Sequence, residues 1–171
     1  MLIDTDAPSI SETWREMVRI LKETNKVKAV GVSNFTVEQL ERITKATGVA
    51  PAVNQIEAHP QLIQPELYKY CADNGITITA YSPLGNNITG KARVIDSPVV
   101  KAIAERNGVT PAQVLIAWGA KNGFAVIPKS VTPSRIAVST SGRLWKSRSQ
   151  GHPAAVCQSP PLSNERYTCQ V

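Results

Sequence analysis

The chain has 171 residues, of which 42% are hydrophobic and 19% charged, a size and composition typical of one globular domain rather than a disordered protein. No apolar run reaches the roughly 18 residues of a membrane span, and the start, MLIDTDAPSI, does not resemble a signal peptide, so we predict a cytoplasmic protein without a membrane partner. The net charge is +6, but half of the excess lies in the last 35 residues and aromatic residues make up only 5%, so no nucleic-acid partner is predicted.

Helical and strand patterns alternate along the first 137 residues. Ser9 and Glu12 have the spacing of a capping box ahead of a helical apolar stripe. A β-branched run at residues 27 to 32 predicts the first buried strand, and helices and strands then alternate with a period of about 25 residues. Apolar strands that alternate with helices favour a parallel sheet covered by helices, which is an α/β fold. Further strands are predicted at residues 52 to 56, 76 to 81 and 124 to 127.

The pattern ends near Ala137. Thr132 and Pro133 suit the cap and the first position of one more helix, but residues 138 to 171 are rich in Ser, Pro and Gly and show no apolar stripe. We therefore predict an ordered domain at residues 1 to 137 and a disordered low-complexity tail at residues 138 to 171.

The three cysteines give no sign of a metal site or of nucleophilic chemistry. Cys71, Cys157 and Cys169 show neither a C-x-x-C spacing nor a histidine at a zinc-ligand interval, so no metal is predicted. Cys71 lies in an apolar helical pattern, which favours a reduced core residue.

A G-x-x-x-x-G-K pattern, formed by Gly85, Gly90 and Lys91, follows the third predicted strand. A phosphate-binding loop of this kind needs a hydroxyl residue after the lysine and then a helix, whereas this chain has Ala92 and a poor helical pattern. We interpret the segment as a surface loop.

Polar side chains cluster where each predicted strand ends. Because the carboxyl ends of parallel strands lie on one side of a sheet, these residues are expected to form a ligand-binding edge. Glu57 could act there as an acid or base and His59 could line the site, but one carboxylate and a lone loop histidine indicate little by themselves. The cations and hydroxyls after the fourth strand suit a phosphate at a helix start, or equally a basic turn with capping residues. The clustered residues are Ser33, Asn34, Gln55, Glu57, Tyr81, Ser82, Lys129, Ser130, Thr132 and Arg135.

Four motifs resemble those of the NADPH-dependent aldo-keto reductases, in this order and spacing. The resemblance covers about residues 10 to 137 and implies a TIM barrel of eight parallel strands with outer helices. The chain would supply about four βα units, family strands five to eight. It would thus be a half-barrel whose first and last strands are open edges available for self-association. The motifs are GVSNF at 31 to 35, NQIEAHP at 54 to 60, AYSPLG at 80 to 85 and VIPKSVTPSRI at 126 to 136.

The resemblance also implies where the nicotinamide of NADP(H) would bind. Ser33, Asn34 and Gln55 would form hydrogen bonds with the nicotinamide amide. Tyr81 would stack on the nicotinamide ring. The cofactor site would therefore lie across the ends of three neighbouring strands.

The phosphates of the cofactor would bind to two later segments. Ser82 and Leu84 would lie along the pyrophosphate. Lys129 and Arg135 would hold the adenosine 2′-phosphate, which favours NADP(H) over NAD(H) because two cations face a dianion. Further contacts to that phosphate would come from Ser130, Val131 and Thr132.

No catalytic residue can be carried over from the family. Its tetrad of Asp, Tyr, Lys and His lies in the first half of the barrel, and neither His59 nor the tyrosines at 68, 70 and 167 stand in the tetrad motif. The expected function is that of an NADP(H)-dependent oxidoreductase acting on small-molecule aldehydes and ketones, inactive alone because its catalytic half is missing.

Two alternatives remain open. The chain could be a non-catalytic nucleotide-binding or partner-binding half-barrel that associates with itself or with a full-length reductase. It could also result from a retained intron or a faulty gene model. Val138 and Ser139 stand where the family usually has Glu and Asn contacting adenine, and Val-Ser is what GTAAGT, a common intron donor sequence, would encode.

Overall fold

In the part of the chain that the structure describes, five parallel strands form one sheet, in the order in which they follow one another along the chain. The computed structural model describes residues 2–3, 10–85 and 93–140. Parallel strands in sequential order, joined through helices, form the wall of a (β/α) barrel, so the predicted TIM-barrel class is confirmed as an open, partial barrel. The strands are β1 (Leu2–Ile3), β2 (Gly31–Ser33), β3 (Val53–Glu57), β4 (Thr77–Tyr81) and β5 (Ala125–Val126).

Helix boundaries follow local capping signals. Thr36 and Gln39 form a complete capping box at the start of the second helix, and Thr110 and Gln113 form another at the start of the fifth. Gly48 ends the second helix with a φ of 71°, a conformation that a residue without a Cβ adopts freely. The helices are α1 (Ile10–Glu23), α2 (Val37–Thr47), α3 (Pro65–Asp73), α4 (Pro98–Asn107), α5 (Pro111–Lys121) and α6 (Pro133–Thr140), with a 3₁₀ helix at Val94–Asp96.

The first strands differ from the sequence prediction in two respects. β1 was not predicted, because a pair of apolar residues carries no detectable period. The strand predicted at residues 27 to 32 begins at Gly31, although Val30 is buried and its carbonyl accepts a hydrogen bond from the N–H of Ala52. Because β1 pairs with β2, the prediction of an open edge at β2 is wrong. Among the described residues, the edges of the sheet are β1 and β5.

Several predictions concern segments outside the described residues. These are the capping serine at position 9, the glycine and lysine at positions 90 and 91, and nearly all of the proposed tail. Helix α6 continues to Thr140, three residues past the predicted end of the ordered pattern at Ala137. Within the described ranges no helix is long and apolar enough to cross a membrane.

Side chains on the two faces of the sheet have different surroundings. On β3 and β4, Asn54, Ile56, Ile78 and Ala80 are buried and belong to the side covered by helices. The alternate residues of the same strands are half-buried, apart from the exposed Thr77 at the start of β4, and point to the opposite side, which is the interior of a closed barrel. We call this side the inner face and define it by Ser33, Gln55, Glu57, Thr79 and Tyr81, which strand register places side by side.

Trp14 anchors α1 to the helix that follows β2. Its side chain is fully buried in the main core. The indole Nε1 donates to Oγ1 of Thr47 at 3.1 Å and to the carbonyl of Val49 at 3.2 Å. Because Thr47 and Val49 flank the end of α2, one indole fixes the relative position of two neighbouring helices.

We expect the Trp14→Phe substitution to lower the free energy of unfolding by about 1–3 kcal/mol, because it removes the donor for two acceptors and leaves a small void. Urea denaturation followed by circular dichroism would measure the change. Trp118→Phe is the matched control, since this half-buried indole forms no hydrogen bond among the described residues and packs edge-on against Phe124. Equal losses for the two variants would show that the indole hydrogen bonds are unimportant.

Candidate functional site

The turn after β2 is held by a buried asparagine from the neighbouring strand. Asn54 is fully buried, its Nδ2 donates to the carbonyl of Phe35 at 2.9 Å, and its Oδ1 accepts from the N–H of Phe35 at 3.3 Å. Asn34, one residue earlier, has a φ of 58°, and its N–H donates to the carbonyl of Gln55 at 2.9 Å. We call the two hydrogen bonds between Asn54 and Phe35 the asparagine clamp, because they fix the turn against β3.

The predicted nicotinamide residues are brought together on the inner face and its edge. Ser33 Oγ donates to the carbonyl of Gln55 at 2.9 Å, and the hydroxyl of Tyr81 donates to Oδ1 of Asn34 at 3.1 Å. The side-chain amide of Gln55 has no hydrogen-bond partner in the described part of the chain. Since neighbouring strands are about 5 Å apart, these groups span about 10 Å, close to the width of an aromatic ring with an amide substituent.

A tight turn follows β4 and depends on Gly85. Its N–H donates to the carbonyl of Ser82 at 2.9 Å, and its φ is 78°. A Cβ at this position would clash with Cγ2 of Val94, so a larger residue would force the 3₁₀ helix away. The side chain of Leu84 packs against the small core that includes Val94, so this turn joins the end of β4 to the second part of the fold.

The basic segment after β5 lies at the start of α6. Lys129 and Arg135 are both exposed, and neither forms an ion pair with another described residue. Oγ of Ser130 accepts from the N–H of Thr132 at 3.2 Å, and the carbonyl of Thr132 accepts from the N–H of Arg135 at 3.0 Å. Val131 is 78% exposed. The segment thus presents two cations and backbone N–H groups where a helix begins, an arrangement suited to a phosphate.

Glu57 and His59 form a pair at the end of β3. Nε2 of His59 lies 3.2 Å from Oε1 of Glu57. His59 is only 8% exposed, so it is not a solvated loop residue. The chain folds back on itself after β3, where His59 forms a β-bridge with Leu62. The Nδ1 atom of His59 is buried and has no hydrogen-bond partner within residues 2–3, 10–85 and 93–140.

Cys71 is a core residue, as the sequence predicts. Its side chain is fully buried on α3 and is a free thiol in the described part of the chain. Burial raises the pKa of the thiol to about 11, an effect that a hydrogen bond with Asn54 partly opposes. Cys71 therefore stays protonated at neutral pH and is not a nucleophile. In the described ranges, no group of three or more His, Cys, Asp or Glu side chains is placed to bind a metal ion.

The asparagine clamp and the Glu57–His59 pair are the features that sequence reasoning missed. In the sequence, Asn54 is only one residue of a motif, but an amide within an apolar strand is itself a signal, because a buried amide needs hydrogen-bond partners. The partners, the backbone groups of Phe35, could not be named without the fold. For His59 the sequence offered no signal of burial.

The described strands and helices form a partial (β/α) barrel, with polar side chains at the carboxyl ends of its strands. A sequence model described as "Aldo/keto reductase family" matches residues 2–141, and the chain belongs to this family. The chain spans about 40% of the length of the curated relatives that it matches.

Among the curated relatives, a D/L-glyceraldehyde reductase of Hypocrea jecorina is 52% identical over 135 residues, which cover 75% of this chain and 40% of the relative. A glycerol 2-dehydrogenase (NADP(+)) of the same organism is 51% identical over 128 residues, covering 72% and 40%. Among solved structures, a mutant of the protein Gox0644 in complex with NADPH is 44% identical, with a TM-score of 0.67, covering 75% of this chain and 45% of that one.

We expect Asn54→Ala to lower the free energy of unfolding by about 2–4 kcal/mol, because it leaves the buried N–H and carbonyl of Phe35 without partners and opens a cavity. Chemical denaturation would measure the loss. Asn107→Ala is the matched control: Asn107 is half-buried at a helix end and donates one hydrogen bond, at 2.8 Å, to the carbonyl of Ile103. A loss no larger than that of the control would show that the clamp does not stabilise the turn.

Proposed function

We propose that this chain binds NADP(H) across its inner face and supplies the cofactor-binding part of a carbonyl reductase. The observation that carries the proposal is the convergence of Ser33, Gln55 and Tyr81 from three adjacent strands, with Asn34 at the edge of the same surface. The Hypocrea jecorina dehydrogenase, named for NADP(+), and the Gox0644 mutant solved with NADPH support the choice of cofactor.

The nicotinamide end fits the side chains that are present. The amide of Gln55 is unpaired among the described residues and can both donate to and accept from a carboxamide. Asn34 is exposed and already accepts a hydrogen bond from Tyr81, so it is within reach of a ligand on the ring of Tyr81. An aromatic ring flanked by amide groups matches both parts of a nicotinamide.

The phosphate end explains why the phosphorylated cofactor would be preferred. Lys129 and Arg135 flank the start of α6, and in the described structure no carboxylate neutralises them. A 2′-phosphate brings about two negative charges to these cations, whereas the 2′-hydroxyl of NAD(H) brings none. Ser130, Val131 and Thr132 form the turn that connects the two cations.

The bound cofactor would supply or accept the hydride in an exchange between a carbonyl compound and an alcohol. The two Hypocrea jecorina relatives are named for glyceraldehyde and glycerol, which suggests small hydroxylated carbonyl compounds as the substrate class. The role we assign to this chain's own residues is to hold and orient the cofactor. No described residue is assigned as the proton donor.

A titration of the purified chain with NADPH, followed by quenching of intrinsic fluorescence, tests the proposal. We expect saturable binding that is tighter for NADPH than for NADH. Lys129→Ala should weaken NADPH binding about tenfold, because it removes one charge-assisted contact at an exposed site. The same variant should leave NADH binding nearly unchanged.

Lys121→Ala is the matched control, since Lys121 is another exposed lysine, located in the last turn of α5. It should bind both cofactors as the unmodified chain does. Absence of saturable binding would refute the proposal. An equal loss in the two lysine variants would refute the assignment of the phosphate end. A defined dimer that binds neither cofactor would favour the partner-binding alternative, in which the edge strand β5 pairs with a second chain.

A further inference from the structure

Glu57 is a charged group on the inner face for which the proposed cofactor contacts provide no role. It lies two residues beyond Gln55 on β3, and strand register places it opposite Tyr81 on β4. Its side chain is 28% exposed, so it is partly shielded from water and open on one side. Within the described chain, no lysine or arginine forms an ion pair with it.

His59 fixes the direction of this carboxylate. Its Nε2 is 3.2 Å from Oε1 of Glu57, and its side chain is 10% exposed. Nδ1 is buried and has no acceptor among the residues that the structure describes, so a hydrogen on Nδ1 would be left unpaired there. The imidazole is therefore best satisfied with its hydrogen on Nε2, donated to Glu57, while the other carboxylate oxygen remains available to the inner face.

The position of Glu57 relative to Tyr81 matters because of the charge on nicotinamide. The ring of NADP⁺ carries a positive charge, and the dihydronicotinamide ring of NADPH is neutral. Because Glu57 and Tyr81 are register partners on neighbouring strands about 5 Å apart, a nicotinamide stacked on the ring of Tyr81 would lie within about two strand spacings, roughly 10 Å, of the Glu57 carboxylate. At this separation in a half-buried site, attraction between opposite charges is still appreciable, whereas a neutral ring gains little.

We propose that Glu57, held by His59, makes the site discriminate between the oxidised and the reduced cofactor in favour of NADP⁺. This inference rests on the proposed function, because it requires the nicotinamide to bind at Tyr81. Glu57 determines cofactor selectivity directly, and His59 is a positioning residue that acts through it.

Dissociation constants of the full chain for NADP⁺ and for NADPH, measured by calorimetry at low salt, test the inference. Glu57→Gln keeps the shape of the side chain and removes its charge. We expect it to weaken NADP⁺ binding about five- to tenfold while NADPH binding changes less than about twofold. Glu57→Asp retains the charge and should keep most of the preference for NADP⁺.

Two further variants separate positioning from structural effects. Glu66→Gln, which removes an exposed carboxylate in the first turn of α3, should change neither dissociation constant. His59→Gln should weaken NADP⁺ more than NADPH, though less than Glu57→Gln does, because the carboxylate remains but is no longer held. A variant that only damages the fold would weaken both cofactors by the same factor.

The outcomes distinguish the two proposals. If the unmodified chain binds neither cofactor form, the proposed function fails and this inference fails with it. If it binds both forms and Glu57→Gln leaves the ratio of the dissociation constants unchanged, the inference is overturned and the proposed function stands. A proportional loss of affinity for both cofactor forms also overturns the inference, because such a result would give Glu57 a structural role.

Discussion

The asparagine clamp is the interaction on which the geometry of the site depends. Asn54 satisfies both backbone groups of Phe35 from a position with no access to water, and Phe35 is itself fully buried. Asn34, which has a positive φ, precedes Phe35, and Thr36, the N-cap of α2, follows it. The same two hydrogen bonds therefore fix the positions of both neighbours. A buried backbone group without a partner is costly, so the turn has few alternative conformations.

Because side chains alternate between the two faces of the sheet, the residues that form the core and the polar residues of the candidate site lie on opposite faces. Ile56 and Ile78 lie on the side covered by helices, while Gln55, Glu57 and Tyr81 on the same strands face the interior. A shift of one residue in register would exchange the two sets and put amides and a carboxylate into the core. The apolar core therefore enforces the register that brings the polar groups together, which links the stability of the fold to the geometry of the site.

The sequence predicted what depends on local chemistry and missed what depends on tertiary contacts. The capping box at Thr36 and the left-handed stop at Gly48 are encoded within a few residues, so α2 could be located from the sequence alone. The short strand β1 could not, since its pairing with β2 arises only when the sheet assembles. Likewise, the polar residues at strand ends could be grouped from topology, but the burial of His59 depends on how the following loop folds back.

The charged residues of the candidate site differ in exposure, so salt would affect their contributions to binding to different degrees. Lys129 and Arg135 are exposed, so salt would screen their attraction for a phosphate, and any affinity that they contribute would weaken as ionic strength rises. Glu57 is half-buried and held by His59, so salt screens it less. An elongated cofactor bound across this surface would place its phosphate end near the two cations and its nicotinamide ring, which is positive only when oxidised, near the carboxylate. Overall affinity and the choice between oxidation states would then be set by different residues, more than one strand apart on the same sheet.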